Sequence, residues 1–164
     1  MLENYKKHVA ERADQNIPPL PLDADQTSEL IELLKKDHQE SDFLLDLLKE
    51  RVPAGVDQAA YVKAAFLADI TTGKASSPYI TKIDAVKILG TMLGGYNIQP
   101  LIECLKDNEL AETAAHVLSR TLLIFDAFNE IFELSKTNEH AKKVVEEWAN
   151  ATWFTEKTDI EEQI

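Results

Sequence analysis

The chain has 164 residues, 45% of them hydrophobic, with 29 acidic against 17 basic side chains and a net charge of −12. That is one ordinary domain with enough apolar material for a continuous core, and its acidity excludes non-specific binding to phosphate backbones as its task. The single cysteine, Cys104, excludes an internal disulfide and any zinc or iron–sulfur site built on four thiolates of this chain.

No window approaches the roughly 20 apolar residues of a membrane span, and the charged opening MLENYKKHVAERADQ lacks the apolar stretch of a secretory signal. The plain reading is a soluble, cytoplasmic protein. Strand-type alternation is nearly absent, whereas spacings of three and four recur throughout, so the fold class is all-α. Leu2, Tyr5, Val9 and Ala13 predict a first amphipathic helix over 2–15. Pro18, Pro19 and Pro21 in NIPPLPLD stop it and favour an extended strap. Its PxxP spacing is also that of a docking peptide, but Ile17, Leu20 and Leu22 give it an apolar side to lay on helices.

Asp23 or Asp25 starts a second helix facing inward through Leu30, Ile31, Leu33 and Leu34. Ser41 caps a third, DFLLDLLKERV, which Pro53 and Gly55 stop. Asp57 opens a fourth, QAAYVKAAFLADI, with Tyr61, Ala65 and Ile70 among its inward positions and Gly73 at its end. After the loop TTGKASSP, Thr81 caps a fifth, KIDAVKILGTML. Asn97 is the expected N-cap of a sixth, IQPLIECLKD, and Asn108 begins a seventh, ELAETAAHVLSRTLLIF. An eighth runs from Asp126 to Ser135 and a ninth from Glu139 to Ala149. Short helices with short connections pack as antiparallel neighbours, and amphipathic pairs too thin to bury their own faces build solenoids. The segment IQPLIECLKDNELAETAAHVLSRTL has the form of a HEAT-type pair. The expected architecture is HEAT-like stacked helix pairs, eight or nine helices over 1–154, followed by an acidic polar tail or linker at 155–164.

The glycine pair in LGTMLGGYNIQPLIECLKD (89–107) poses a functional question. A phosphate-binding loop needs a preceding strand and, in the P-loop, a lysine directly after; here the preceding segment is helical and the next lysine is Lys106. A corner fits better, with Gly94 in the left-handed conformation past the fifth helix, Asn97 starting the sixth and Tyr96 covering the end.

In order along the chain, YKKHVAER, IPPLPLDADQ, RVPAGVDQAAYVKAAFL, SPYIT and AVKILGTMLGGYNIQPLI closely resemble the N-terminal region of bacterial aconitase B, the bifunctional aconitate hydratase 2/2-methylisocitrate dehydratase. The likeness runs from about Leu2 to Phe154. It implies a HEAT-like, non-catalytic segment ahead of catalytic domains that interconvert citrate and isocitrate through cis-aconitate, a tricarboxylic acid cycle reaction, on a [4Fe–4S] cluster bound by three cysteines. With one cysteine and no catalytic motif of the family, the segment is expected to carry neither catalytic nor cluster residues and to be a piece of a longer enzyme. The partners implied are the catalytic domains of the same chain and a second copy. The charge argues against RNA. The alternative is a free-standing HEAT-like adaptor for other proteins.

The remaining reactive side chains read as structural. Cys104 suits a buried helix position. His8, His38, His116 and His140 have no second ligand at helical spacing. Glu133, Glu139, Glu146, Glu147 and Asp126 alternate with Lys136, Lys142 and Lys143 as a solvated face does. Trp148, Trp153 and Phe154 either cap the last helix pair or meet the next domain. The candidate interdomain contacts are therefore Gly94, Gly95, Tyr96, Asn97, Trp153 and Phe154.

Overall fold

The helices that open at Ala24, Gln58, Lys82 and Glu139 begin where a side-chain oxygen meets an orphan amide. Asp23 accepts the Gln26 N–H at 2.8 Å while the Gln26 side chain accepts the Asp23 N–H, a reciprocal capping box. Asp57 accepts from Ala59 and Ala60, Asn138 from Ala141, and Thr81 from Asp84. The computed structural model describes residues 1–121 and 127–151. Among these, the chain is all-α, with no strand and only an isolated bridge between Ser77 and Ile80. It forms two compact units, Met1–Asn97 and a second that begins at Ile98.

The first unit holds α1 (Leu2–Ala13), α2 (Ala24–Leu34), α3 (Ser41–Asp46), a π-turn (Leu47–Arg51), α4 (Gln58–Thr72) and α5 (Lys82–Leu89). α2 packs on α4, and α4 on α5. Leu30, Leu34, Leu44, Leu48, Leu67, Val86 and Leu89 are fully buried between them, each contributing about 1.5–3 kcal/mol by leaving water. The strap lies back along α1: the Tyr5 hydroxyl donates to the Leu20 carbonyl at 2.9 Å, Leu20 N–H donates to His8 Nε2, and Arg12 Nε donates to the Pro18 carbonyl. Leu22 is buried as expected, but Ile17 and Leu20 face outward.

Several expectations are corrected here. Ser41 is the first residue of α3 rather than its cap, and the predicted third helix widens into the π-turn after Asp46. Tyr61 and Ala65 are exposed, and α4 buries Ala60, Lys63, Ala64, Phe66, Leu67 and Ile70 instead. α5 stops at Leu89, before Met92 and Leu93. Gly73 ends α4 with φ 76° as expected.

The second unit holds α6 (Ile98–Cys104), α7 (Ala111–Leu118), α8 (Phe128–Ser135) and α9 (Glu139–Ala149). α6 packs on α7, α7 on α9, and α8 on α9. Asn108 does not open α7; the turn is closed by Asp107, whose carboxylate accepts the Glu109 N–H. Cys104 is buried. Glu133 and Lys136 pair on the exposed face at 2.6 Å. Trp148 stacks on Phe128, and Phe128 on Phe132. Trp153, Phe154, the tail at 155–164, Asp126 and the expected end of the seventh helix at Phe125 lie outside the described residues.

The Thr81 box makes a testable element. Its hydroxyl donates to the Asp84 carboxylate at 2.6 Å and holds that carboxyl below its ordinary value. Thr81→Ala is expected to cost about 1 kcal/mol in urea unfolding at neutral pH. A depressed folded-state pKa stabilises above the unfolded value and is lost on acidification, so the difference from the parent shrinks as pH falls below about 4.

Candidate functional site

The strings RVPAGVD (51–57) and LGTMLGGYNI (89–98) are distant in sequence and closed on each other in the first unit. The Leu93 N–H donates to the Ala54 carbonyl at 2.7 Å. One residue on, a β-carbon on Gly94 would lie 1.9 Å from the Gly55 oxygen and 2.3 Å from its carbonyl carbon. Only glycine permits that approach of two backbones. The Tyr96 hydroxyl then donates to the Val56 carbonyl at 2.9 Å, and its ring meets Tyr61 of α4 edge-on at 5.4 Å. Main chain, glycine and hydroxyl thus zip two loops together over three consecutive steps.

The division of labour between the glycines differs from the expectation. Gly95, not Gly94, takes the positive φ, at 91°. Gly94 is needed for space and Gly95 for conformation. Asn97 also acts in the opposite direction from an N-cap. Its Nδ2 donates backward to the carbonyls of Leu89 at 2.8 Å and Met92 at 3.1 Å, satisfying orphan acceptors past the end of α5. Its fully buried Oδ1 has no hydrogen-bond partner among the described residues. Gly94, Gly95, Tyr96 and Asn97 are brought together as one corner.

What the zipper presents is apolar. Leu93 is 79% exposed, Val56 74%, Tyr61 51% and Tyr96 38%. Of these, the sequence reading singled out only Tyr96, and it placed Tyr61 inside. The available signal was the second glycine-bearing turn, Pro53-Ala54-Gly55, standing ready to receive the first.

The other quoted strings also fasten irregular backbone. In SPYIT, Ser77 Oγ donates to the Leu34 carbonyl at 2.6 Å, past the last turn of α2. The Tyr79 hydroxyl donates to the His38 carbonyl at 3.1 Å and accepts that residue's own N–H. His38 is half-buried, and its Nδ1 accepts the Glu40 N–H at 3.1 Å.

Sequence reasoning also missed Lys63, whose side chain is buried in α4. The π-turn explains where its charge goes. Val52 N–H bonds back to the Leu47 carbonyl, while the Arg51 carbonyl accepts from Leu22 N–H in the strap. The Lys49 carbonyl accepts from Lys63 Nζ at 3.5 Å. An ammonium at a helix C-terminal end meets the negative end of the dipole. Burial nevertheless pushes the Lys63 pKa down to about 8, with Glu50 opposing.

Among the described residues no three His, Cys, Asp or Glu side chains gather to hold a metal. No helix of those residues is long and apolar enough to cross a membrane.

Comparison with known proteins places these features. The model of the aconitate B N-terminal domain matches residues 4–154. Aconitate hydratase B of Escherichia coli is 55% identical over 166 residues, covering all of this chain and 19% of the relative. The Synechocystis enzyme of the same name is 53% identical over 167 residues, again all of this chain and 19% of the relative. That of Helicobacter pylori is 47% identical over 165 residues, 99% of this chain and 19% of the relative. The chain therefore spans about a fifth of the length of these curated relatives. The match takes in the strap, both loops of the zipper and the SPYIT clasp, and the chain belongs to the aconitate B N-terminal domain family.

Proposed function

We propose that this chain is the non-catalytic N-terminal segment of an aconitate hydratase, a HEAT-like layer of helices in the cytoplasm that seats on the catalytic part of the same polypeptide and shapes substrate access to it. The observation that carries the reading is the match along the whole chain to relatives named aconitate hydratase B that are about five times longer. The helix-on-helix packing of α2, α4 and α5, and of α6 and α7, supports the HEAT-like reading.

By resemblance, the enzyme's hydration chemistry belongs to a [4Fe–4S] cluster held by three cysteines. The residues here do not fit that group, because the chain has one cysteine and it is buried on α6. What the segment's own residues supply is an acidic helical surface with an apolar corner on its first unit. Its charge of −12 supports a protein partner over RNA.

The test is activity with and without the segment. The purified 164-residue chain is expected to form no cis-aconitate from citrate or isocitrate. Deleting it from the full-length enzyme is expected to lower kcat/KM for both. Turnover by the isolated chain, or an unaffected deletion variant, would overturn the reading.

A further inference from the structure

We propose that the corner formed by Val56, Tyr61, Leu93 and Tyr96 is the face through which this segment docks on the catalytic part of its own polypeptide. The inference rests on the aconitate hydratase reading above and adds where the contact is made and by what chemistry. The zipper fixes the backbone that carries Leu93 and Val56 and ties the Tyr96 ring to both loops. Leu93 is fixed by its own N–H on the Ala54 carbonyl, Val56 by its carbonyl under the Tyr96 hydroxyl, and the two rings by each other. Binding such a face costs little ordering entropy, because the loops that carry it are already locked. Large apolar groups held outward on a rigid turn, with two tyrosines among them, have the composition of an interface centre.

Three observations select a tethered occupant over a second copy. At roughly 150–250 Å² for a large side chain, the four exposed fractions sum to about 500 Å² on this side. A free-standing complex buries about 800 Å² on each partner, whereas contacts between parts of one chain are stable at about 600–1,500 Å² in total. A tether supplies the difference as effective concentration. Two copies of this chain would also bring together two bodies each at −12. Finally, the relatives carry four times this length of polypeptide beyond the matched part, all of it available as a tethered partner. The complementary surface is therefore an apolar, weakly charged patch outside the 164 residues.

The experiment uses the full-length aconitate hydratase polypeptide carrying this segment, with a benzophenone amino acid in place of Leu93 or, separately, Val56. The same probe at Phe132, an exposed aromatic of α8, is the control. Expected are cross-links from positions 93 and 56 to peptides beyond residue 164 of the same polypeptide, at least tenfold above those from position 132. Leu93→Asp combined with Val56→Asp should leave the helical content unchanged and raise proteolytic cleavage between the segment and the remainder. Cross-links to a second copy, cross-links confined to the segment, or no enrichment over position 132 would each overturn the docking face. If the full-length polypeptide has no hydratase activity at all, the functional reading fails instead, and the two failures are distinguishable.

Discussion

Gly94→Ala is expected to destabilise the chain by about 3 kcal/mol. The new β-carbon would sit 1.9 Å from the Gly55 oxygen, far inside contact distance, and both neighbours are backbone that cannot turn aside. The 93–96 loop must withdraw. Withdrawal breaks the Leu93–Ala54 and Tyr96–Val56 hydrogen bonds, worth about 1 kcal/mol each, and the Tyr61–Tyr96 ring contact, worth about 0.5–1.5 kcal/mol. In a chain of this size that corresponds to a fall in Tm of about 6–12 °C. The partner glycine provides the control. A β-carbon on Gly55 would meet nothing within 4 Å, and its φ is not positive, so Gly55→Ala is expected to change stability by less than about 0.5 kcal/mol. Equal effects at the two positions would remove the steric basis of the zipper.

Lys63→Met is expected to act in the opposite direction, stabilising the chain by about 2 kcal/mol at pH 7. The ammonium is buried with one long hydrogen bond, to the Lys49 carbonyl, and its pKa falls from 10.5 to about 8. At 1.36 kcal/mol per unit that fall corresponds to about 3 kcal/mol of penalty for the charged form, and the lost hydrogen bond takes back about 1 kcal/mol. The pH dependence gives the sign. Below pH 8 the lysine is charged in both folded and unfolded chains, and the penalty is complete. Between about 8 and 10.5 the unfolded chain holds the extra proton, so the parent's stability rises with pH. The methionine variant lacks that rise, and its advantage should vanish near pH 9.5. Urea titrations of both proteins from pH 7 to 10 measure this directly; a constant difference across the range would show that Lys63 is not buried as a charge.

These two residues mark where the sequence was readable and where it was not. Asp23, Asp57, Thr81 and Gly73 could be placed because a cap is a local event, decided within three or four residues. The ninth helix spans Glu139–Ala149 as expected, and the structure adds Asn138 as its cap. Lys63 was not readable as buried, because its partner is a carbonyl freed by a π-turn 14 residues earlier. The only local hint is a lone charge inside the apolar run AAYVKAAF. Tyr61 was assigned inward on the same periodicity that fits Ile70, but its place is set by Tyr96, 35 positions away on the partner loop.

The Gly-Gly corner was legible as a corner and not as a contact. Two glycines signal a turn in any sequence, and which one takes the positive φ depends on what packs against the other. Asn97 shows the same limit. An asparagine before a helix is an N-cap by local rules, yet here the carbonyls past Leu89 compete for its amide and win it. The family resemblance supplied what local rules could not. Several of the strings that carried it fasten irregular backbone, as RVPAGVD, LGTMLGGYNI and SPYIT do.

The account depends most directly on the two distant loops being closed upon each other in solution. Amide hydrogen exchange at Leu93, read by nuclear magnetic resonance on the 164-residue chain, tests this at the Leu93–Ala54 bond. Protection comparable to that of the buried helical amides of α4, and its loss in Gly94→Ala, is the expected result. Exchange of the Leu93 amide at the rate of an unstructured peptide while α4 stays protected would contradict it.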